Sequence, residues 1–120
     1  MKKVLLIEDD FDIQNIYSQK LSFSGYKVSV ASNASEGLDS LNSVRPDVIL
    51  LDIMLPGKIN GFDFLEQIKK DSNFKNIPVL VLTNIDSEKE SAMKIGAVDY
   101  LIKANTDLNI ILEKVKKYTS

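Results

Sequence analysis

Short apolar runs recur along the chain at residues 3–7, 27–31, 47–51, 78–82 and 99–102, and between them apolar residues return every three or four positions. The runs are mostly continuous in Val, Leu and Ile, as strands are when helices cover both faces of their sheet. The second run, Lys27-Val-Ser-Val-Ala31, alternates instead and predicts an edge strand with one less buried face. Ile13, Ile16, Tyr17 and Leu21 form one helical stripe, Ala34, Leu38 and Leu41 a second, and Leu108, Ile111, Leu112 and Val115 a third. Capping-box spacings predict helix starts at Asn33 with Glu36, in a weaker form, and at Ser87 with Glu90, while Gly25 and Gly96 sit where helices should stop.

Strands that alternate with helices, joined by right-handed crossovers, predict an α/β, doubly wound domain of five βα units over residues 1–120. The expected sheet is parallel with strand order 2-1-3-4-5, which sets the first and third strands side by side.

The polar residues that end these runs carry the candidate chemistry. Glu8, Asp9 and Asp10 follow the first, Asp52 the third, Thr83 the fourth and Lys103 the fifth. All fall on the carboxyl edge of one sheet, where open α/β folds place their ligand crevice. Carboxylates gathered there repel one another unless a cation is present. Mg²⁺ suits hard oxygen ligands and needs only one or two carboxylates beside phosphate oxygens. Asp52 can then act as a nucleophile toward phosphorus, Lys103 can pair with a phosphoryl oxygen, and the Thr83 hydroxyl can donate to another. Taken singly, each residue reads as an ordinary cap, strand end or solvated lysine; their conjunction points to phosphoryl chemistry.

Composition narrows the options. With no cysteine and no histidine in 120 residues, disulfides, the usual zinc sites, thiol nucleophiles and histidine acid–base chemistry are excluded, and any metal must be held by oxygen. A net charge of −2 from 15 basic and 17 acidic residues gives no bulk reason to bind nucleic acid or anionic lipid. Lys114, Lys116 and Lys117 instead complement the dipole of a final helix. Met1-Lys2-Lys3 leads straight into a strand, and no apolar stretch suits a signal peptide or membrane span, so the expected location is the cytoplasm.

The segments Leu6-Ile-Glu-Asp-Asp10, Asp47-Val-Ile-Leu-Leu-Asp-Ile-Met-Leu-Pro-Gly57, Val81-Leu-Thr83 and Gly96-Ala-Val-Asp-Tyr-Leu-Ile-Lys103 together resemble a receiver domain of bacterial two-component response regulators, with the CheY-like, flavodoxin-like fold, over essentially the whole chain. The resemblance implies a signalling phosphoacceptor rather than an enzyme acting on other molecules. Asp52 would be the phosphoacceptor, and Asp9 a direct Mg²⁺ (or Mn²⁺) ligand. Glu8 would act through water and Met54 through its backbone carbonyl. Thr83 would be the switch hydroxyl, Tyr100 the switch aromatic and Lys103 the phosphoryl-contacting lysine. A hydroxyl drawn from Thr83 toward Asp52 would vacate space for the Tyr100 ring and so reach the face of the fourth helix, fifth strand and fifth helix. The alternative is a Tyr100 ring at the sheet margin with its hydroxyl wet. The implied partners are a sensor histidine kinase or phosphotransfer protein and a downstream protein target, with a phosphorylation-dependent dimer left open. The family's slow hydrolysis would reset the signal. The chain resembles a receiver with no output module attached, which would either signal by protein binding or have been cut from a longer regulator.

Three features depart from the family pattern. Ala104 follows Lys103 where proline is usual, so a trans bond and an altered loop are expected. Asn84 stands where a small residue is usual, and its amide either narrows access or bonds to the phosphoryl group. Pro56-Gly-Lys-Ile-Asn-Gly61 is one residue longer than the usual loop, an insertion that a surface absorbs cheaply. Asn84 and Ala104 lend weight to a second reading, a degenerate receiver used as a scaffold. An aspartate phosphatase of the haloacid dehalogenase type would place its nucleophile after the first strand, with a second Asp two residues on, where this chain has Met54. A flavin carrier would find its phosphate repelled by Glu8-Asp9-Asp10.

Overall fold

The computed structural model describes all residues, Met1–Ser120. Its strands are β1 (Lys3–Ile7), β2 (Lys27–Ala31), β3 (Val48–Leu51), β4 (Val79–Thr83) and β5 (Asp99–Ile102). Its helices are α1 (Phe11–Phe23), α2 (Ala34–Val44), α3 (Gly61–Lys70), α4 (Lys89–Ile95) and α5 (Leu108–Thr119), with a 3₁₀ turn at Lys103–Asn105. The strands form one parallel sheet in the order β2-β1-β3-β4-β5, with the alternating run on an edge as expected. Val4 pairs with both Val28 and Val48, and Ile7 with both Ala31 and Leu51.

Alternate strand residues enter opposite cores. Leu5, Ile7, Ile49, Leu51, Val79 and Val81 pack with Leu41, Phe64, Leu65, Ile68 and Ala92 of α2, α3 and α4. Val4, Leu6, Val48, Leu50, Leu80 and Leu82 pack with Tyr17, Leu21, Ile111 and Val115 of α1 and α5. With both faces covered, β3 and β4 are buried at every position, which explains their unbroken apolar sequences. No helix is long and apolar enough to cross a membrane.

Two helix expectations change. Ile16 is 49 % exposed, and its expected place on the buried face of α1 is taken by Gln14 beside Tyr17 and Leu21. Ser87 caps nothing: α4 begins after Glu88, without a side-chain cap, because Ser87 lies in the preceding turn. Asn33 does accept from the Glu36 N–H, but the Glu36 carboxylate receives the Ser32 N–H rather than completing a box at Asn33. The reciprocal box is at α3, where Asn60 accepts from the Asp63 N–H and the Asp63 carboxylate from the Asn60 N–H, both at 3.0 Å. The loop from Pro56 to Asn60 therefore ends in a helix start.

At the far end of α3, Lys69 Nζ donates to the Lys75 carbonyl at 3.0 Å and the Ile77 carbonyl at 2.8 Å. Burial lowers the Lys69 pKa. Gly96, at φ 132°, ends α4 against the same side chain: a Cβ there would meet Lys69 Cγ at 3.1 Å.

Candidate functional site

The sheet ladders run past the formal strand ends into the acidic residues. Glu8 N–H donates to the Ala31 carbonyl at 3.0 Å and Asp52 N–H to the Ile7 carbonyl at 3.1 Å. Because Ile7 and Leu51 are partners in register, the residues after them emerge side by side. One carboxylate oxygen each of Glu8, Asp9 and Asp52 falls within 4.8 Å of the others. Glu8 and Asp52 are buried and Asp9 is exposed. Asp10, the remaining acid of the first run, turns away to cap α1, accepting from the N–H groups of Asp12 and Ile13.

Both Asp52 oxygens are engaged. Oδ1 accepts the Met54 N–H at 2.9 Å and Oδ2 accepts from Lys103 Nζ at 2.7 Å. A carboxylate has about four acceptor positions, so each oxygen keeps capacity for a further partner. Lys103 also donates to Glu8 Oε1, and the Asp10 N–H donates to Glu8 Oε2 at 3.1 Å. Burial pushes the Glu8 pKa up against the opposing bond from Lys103. Burial works against the Lys103 charge, but its bonds to Asp52 and Glu8 outweigh that and hold its pKa above the ordinary value. Three clustered carboxylates, two of them on the Lys103 ammonium, offer oxygen ligands that fit a hard divalent cation. Glu8, Asp9, Asp52 and Lys103 are thus brought together, and Met54 meets Asp52 through its N–H, with its side chain 56 % exposed. Asp9 and Met54 also line an open cavity of about 630 Å³ with Phe62, Ile85 and Glu88.

Thr83 is fully buried at the end of β4 and pairs with Ile102, the residue before Lys103. Its Oγ1 accepts the Ile85 N–H at a long 3.5 Å, which leaves the hydroxyl proton free to donate. Tyr100 is buried in the core beneath α4, and its hydroxyl donates to the Ile85 carbonyl. The ring is thus inside rather than at a wet sheet margin, and its hydroxyl rests on a carbonyl. Ile85 instead joins the two residues, its N–H toward Thr83 and its carbonyl toward Tyr100.

The sequence reading missed one contributor. Gln14, buried on α1, donates its amide to the Glu8 carbonyl and to Ser32 Oγ at 3.2 Å, bracing the acidic loop. Its signal was a polar residue beside the apolar stripe. Asn84, directly after Thr83, accepts the Ala104 N–H on its Oδ1 at 3.0 Å, a bond between the two loops. The chain has no cis peptide, so the bond before Ala104 is trans, as expected.

A family model described as the response regulator receiver domain matches residues 4–116. The probable transcriptional regulator ycf27 of Guillardia theta is 36% identical over 104 residues, which are 85% of this chain and 39% of that protein. The response regulator MprA of Mycolicibacterium vanbaalenii is 36% identical over 103 residues, 84% of this chain and 43% of that protein. The chain thus spans roughly two fifths of these curated relatives. Among solved structures, the chemotaxis protein CheY4 of Vibrio cholerae superposes with a TM-score of 0.88 at 31% identity, covering 98% of each chain.

Proposed function

The chain belongs to the response regulator receiver domain family of two-component signal transduction, and from that premise we propose that Asp52 accepts a phosphoryl group from a phosphohistidine on a sensor kinase or phosphotransfer protein. The observation that carries this reading is the fixed Asp52 carboxylate, held by the Met54 N–H and Lys103 beside Glu8 and Asp9. An Asp52 oxygen forms a bond to phosphorus while the donor's phosphorus–nitrogen bond breaks, and the imidazole leaves with that electron pair. Lys103 exchanges its carboxylate contact for a phosphoryl oxygen, and Thr83 donates its hydroxyl proton to another. Asp9, Asp52, the Met54 carbonyl and, through water, Glu8 would hold Mg²⁺ or Mn²⁺, which when bound would supply positive charge beside the phosphoryl oxygens. Slow hydrolysis of the aspartyl phosphate resets the domain.

Turning Thr83 toward a phosphoryl group releases the Ile85 N–H, and Ile85 in turn holds the Tyr100 hydroxyl. That relay biases the face of α4, β5 and α5 between two arrangements and so governs binding of a downstream protein or a second copy. The reading places the protein in the cytoplasm, with no direct nucleic-acid or membrane contact. Intact mass after exposure to acetyl phosphate tests it. One phosphoryl group should be gained only with Mg²⁺, and Asp52→Asn should abolish the gain. An unmodified mass, under conditions that label a control receiver, would favour the scaffold reading.

A further inference from the structure

The loops after β4 and β5 are joined by a bond that belongs to no strand ladder. Asn84 directly follows Thr83, Ala104 directly follows Lys103, and the Ala104 N–H donates to Asn84 Oδ1 at 3.0 Å. A backbone N–H can only donate, so the contact demands the carbonyl oxygen of the amide. The same short loop is tied again by Thr106, whose Oγ1 donates to the Ile102 carbonyl at 2.7 Å and whose N–H donates to the Lys103 carbonyl at 3.3 Å. The peptide from which the Lys103 side chain departs is therefore anchored on both sides. That matters because a lysine is a point charge on a flexible four-carbon stem, and where its ammonium rests depends on where its backbone is held.

We propose that Asn84 is a positioning residue for phosphoryl acceptance: it fixes the Lys103–Ala104 peptide and, through it, the ammonium that faces Asp52. The proposal rests on the phosphoacceptor reading above. It has two halves, an acceptor at position 84 and an N–H at position 104, and neither works without the other. Ala104→Pro removes the donor as surely as Asn84→Ala removes the acceptor.

The test uses the full chain with Asn84→Ala, Ala104→Pro and the double variant, each labelled by acetyl phosphate with Mg²⁺ and followed by intact mass over time. Asn84→Ala should slow labelling at saturating phosphodonor by about three- to tenfold, the scale of a displaced catalytic group, without raising the half-saturating concentration. In the Ala104→Pro background the same substitution should change nothing further, since residues that share one contact are not additive. Amide exchange at Ala104, faster in Asn84→Ala than in the unsubstituted chain, reads the bond even where Ala104→Pro folds poorly. Unchanged labelling rates in Asn84→Ala, an equal loss in both backgrounds, or unchanged exchange would each overturn the positioning role. Failure to label the unsubstituted chain is a different result: it overturns the phosphoacceptor reading itself.

Discussion

Gly61 and Asp52 meet backbone to backbone: a Cβ built on Gly61 would stand 2.6 Å from the Asp52 carbonyl oxygen and against Ile53 Cα. The first residue of α3 is thus pressed onto the loop that presents the carboxylate, and the Gly61 N–H reaches the Ile53 carbonyl at 3.4 Å. Backbone atoms cannot rotate out of the way as a side chain can. Gly61→Ala should therefore cost about 1–3 kcal/mol of stability, as overpacking does. Because the displaced atoms belong to Asp52 and Ile53, phosphoryl labelling should fall as well. Urea denaturation with intact-mass labelling would check both, and parent-like values in each would contradict the contact.

Lys103→Ala leaves the Glu8 and Asp52 carboxylates, 2 % and 6 % exposed, without their cation. In metal-free buffer the variant should lose about 1–3 kcal/mol, the cost of a buried acceptor stripped of its partner. Added Mg²⁺ should recover part of that loss. Denaturation curves with and without Mg²⁺ that show the same deficit would argue against a cation site at these carboxylates.

Asp9 is the exposed member of the acid cluster, so removing its charge relieves repulsion without vacating a buried position. Asp9→Asn should weaken Mg²⁺ binding severalfold while leaving metal-free stability equal to the parent or higher by at most about 0.5 kcal/mol. Mg²⁺ titration by NMR and thermal unfolding give the two values. A clear drop in metal-free stability would show that Asp9 has a structural role instead.

Thr83→Ala removes the hydroxyl that Ile85 N–H contacts and should leave Asp52 able to accept the phosphoryl group. The relay through Ile85 to Tyr100 should then be cut. Beryllofluoride, a phosphoryl mimic, should shift amide resonances around Tyr100 much less in the variant than in the parent. Equal shifts in the two proteins would sink the coupling.

Asp99 supplies a pH signature away from the site. Burial pushes its carboxyl up, but the 2.8 Å bond from Lys114 and the Tyr100 N–H outweigh that and hold its pKa below the ordinary value. A depressed folded pKa means that the stabilisation is present above the unfolded value and is lost as pH falls through the folded one. Asp99→Asn should therefore be less stable than the parent at neutral pH, with the gap closing below the ordinary carboxylate range. The gap should be modest, as the pair is partly solvated. A pH-independent difference in unfolding temperature would rule out the titration.

The strands were legible because burial on both faces leaves a continuous apolar run, as Val48–Leu51 shows, and because the β2 edge relaxes that demand. Glu8, Asp52, Thr83 and Lys103 were legible because each ends such a run, and strand order alone brings them together. Contacts between loops left no periodic mark. Asn84 with Ala104 looked like two separate oddities, although the structure makes them one bond. Gln14 was passed over because a polar residue on a helix reads as solvated until tertiary packing buries it. Ser87 and Glu90 have the spacing of a cap, but a turn holds Ser87 out of position, and local propensity yields to the connection from β4.

The seating of Gly96 on Lys69 gives α4 a mechanical asymmetry. This helix has only seven residues and no side-chain cap where it starts, so little of its own chemistry holds it in place. Its last turn, however, rests on a side chain whose ammonium is itself secured by two carbonyls ahead of β4. A push delivered at the Ile85 end would find the loose end of a lever whose other end is clamped. The helix would swing about Gly96 rather than slide, and the surface it offers would change most near Glu88 and least near Ile95.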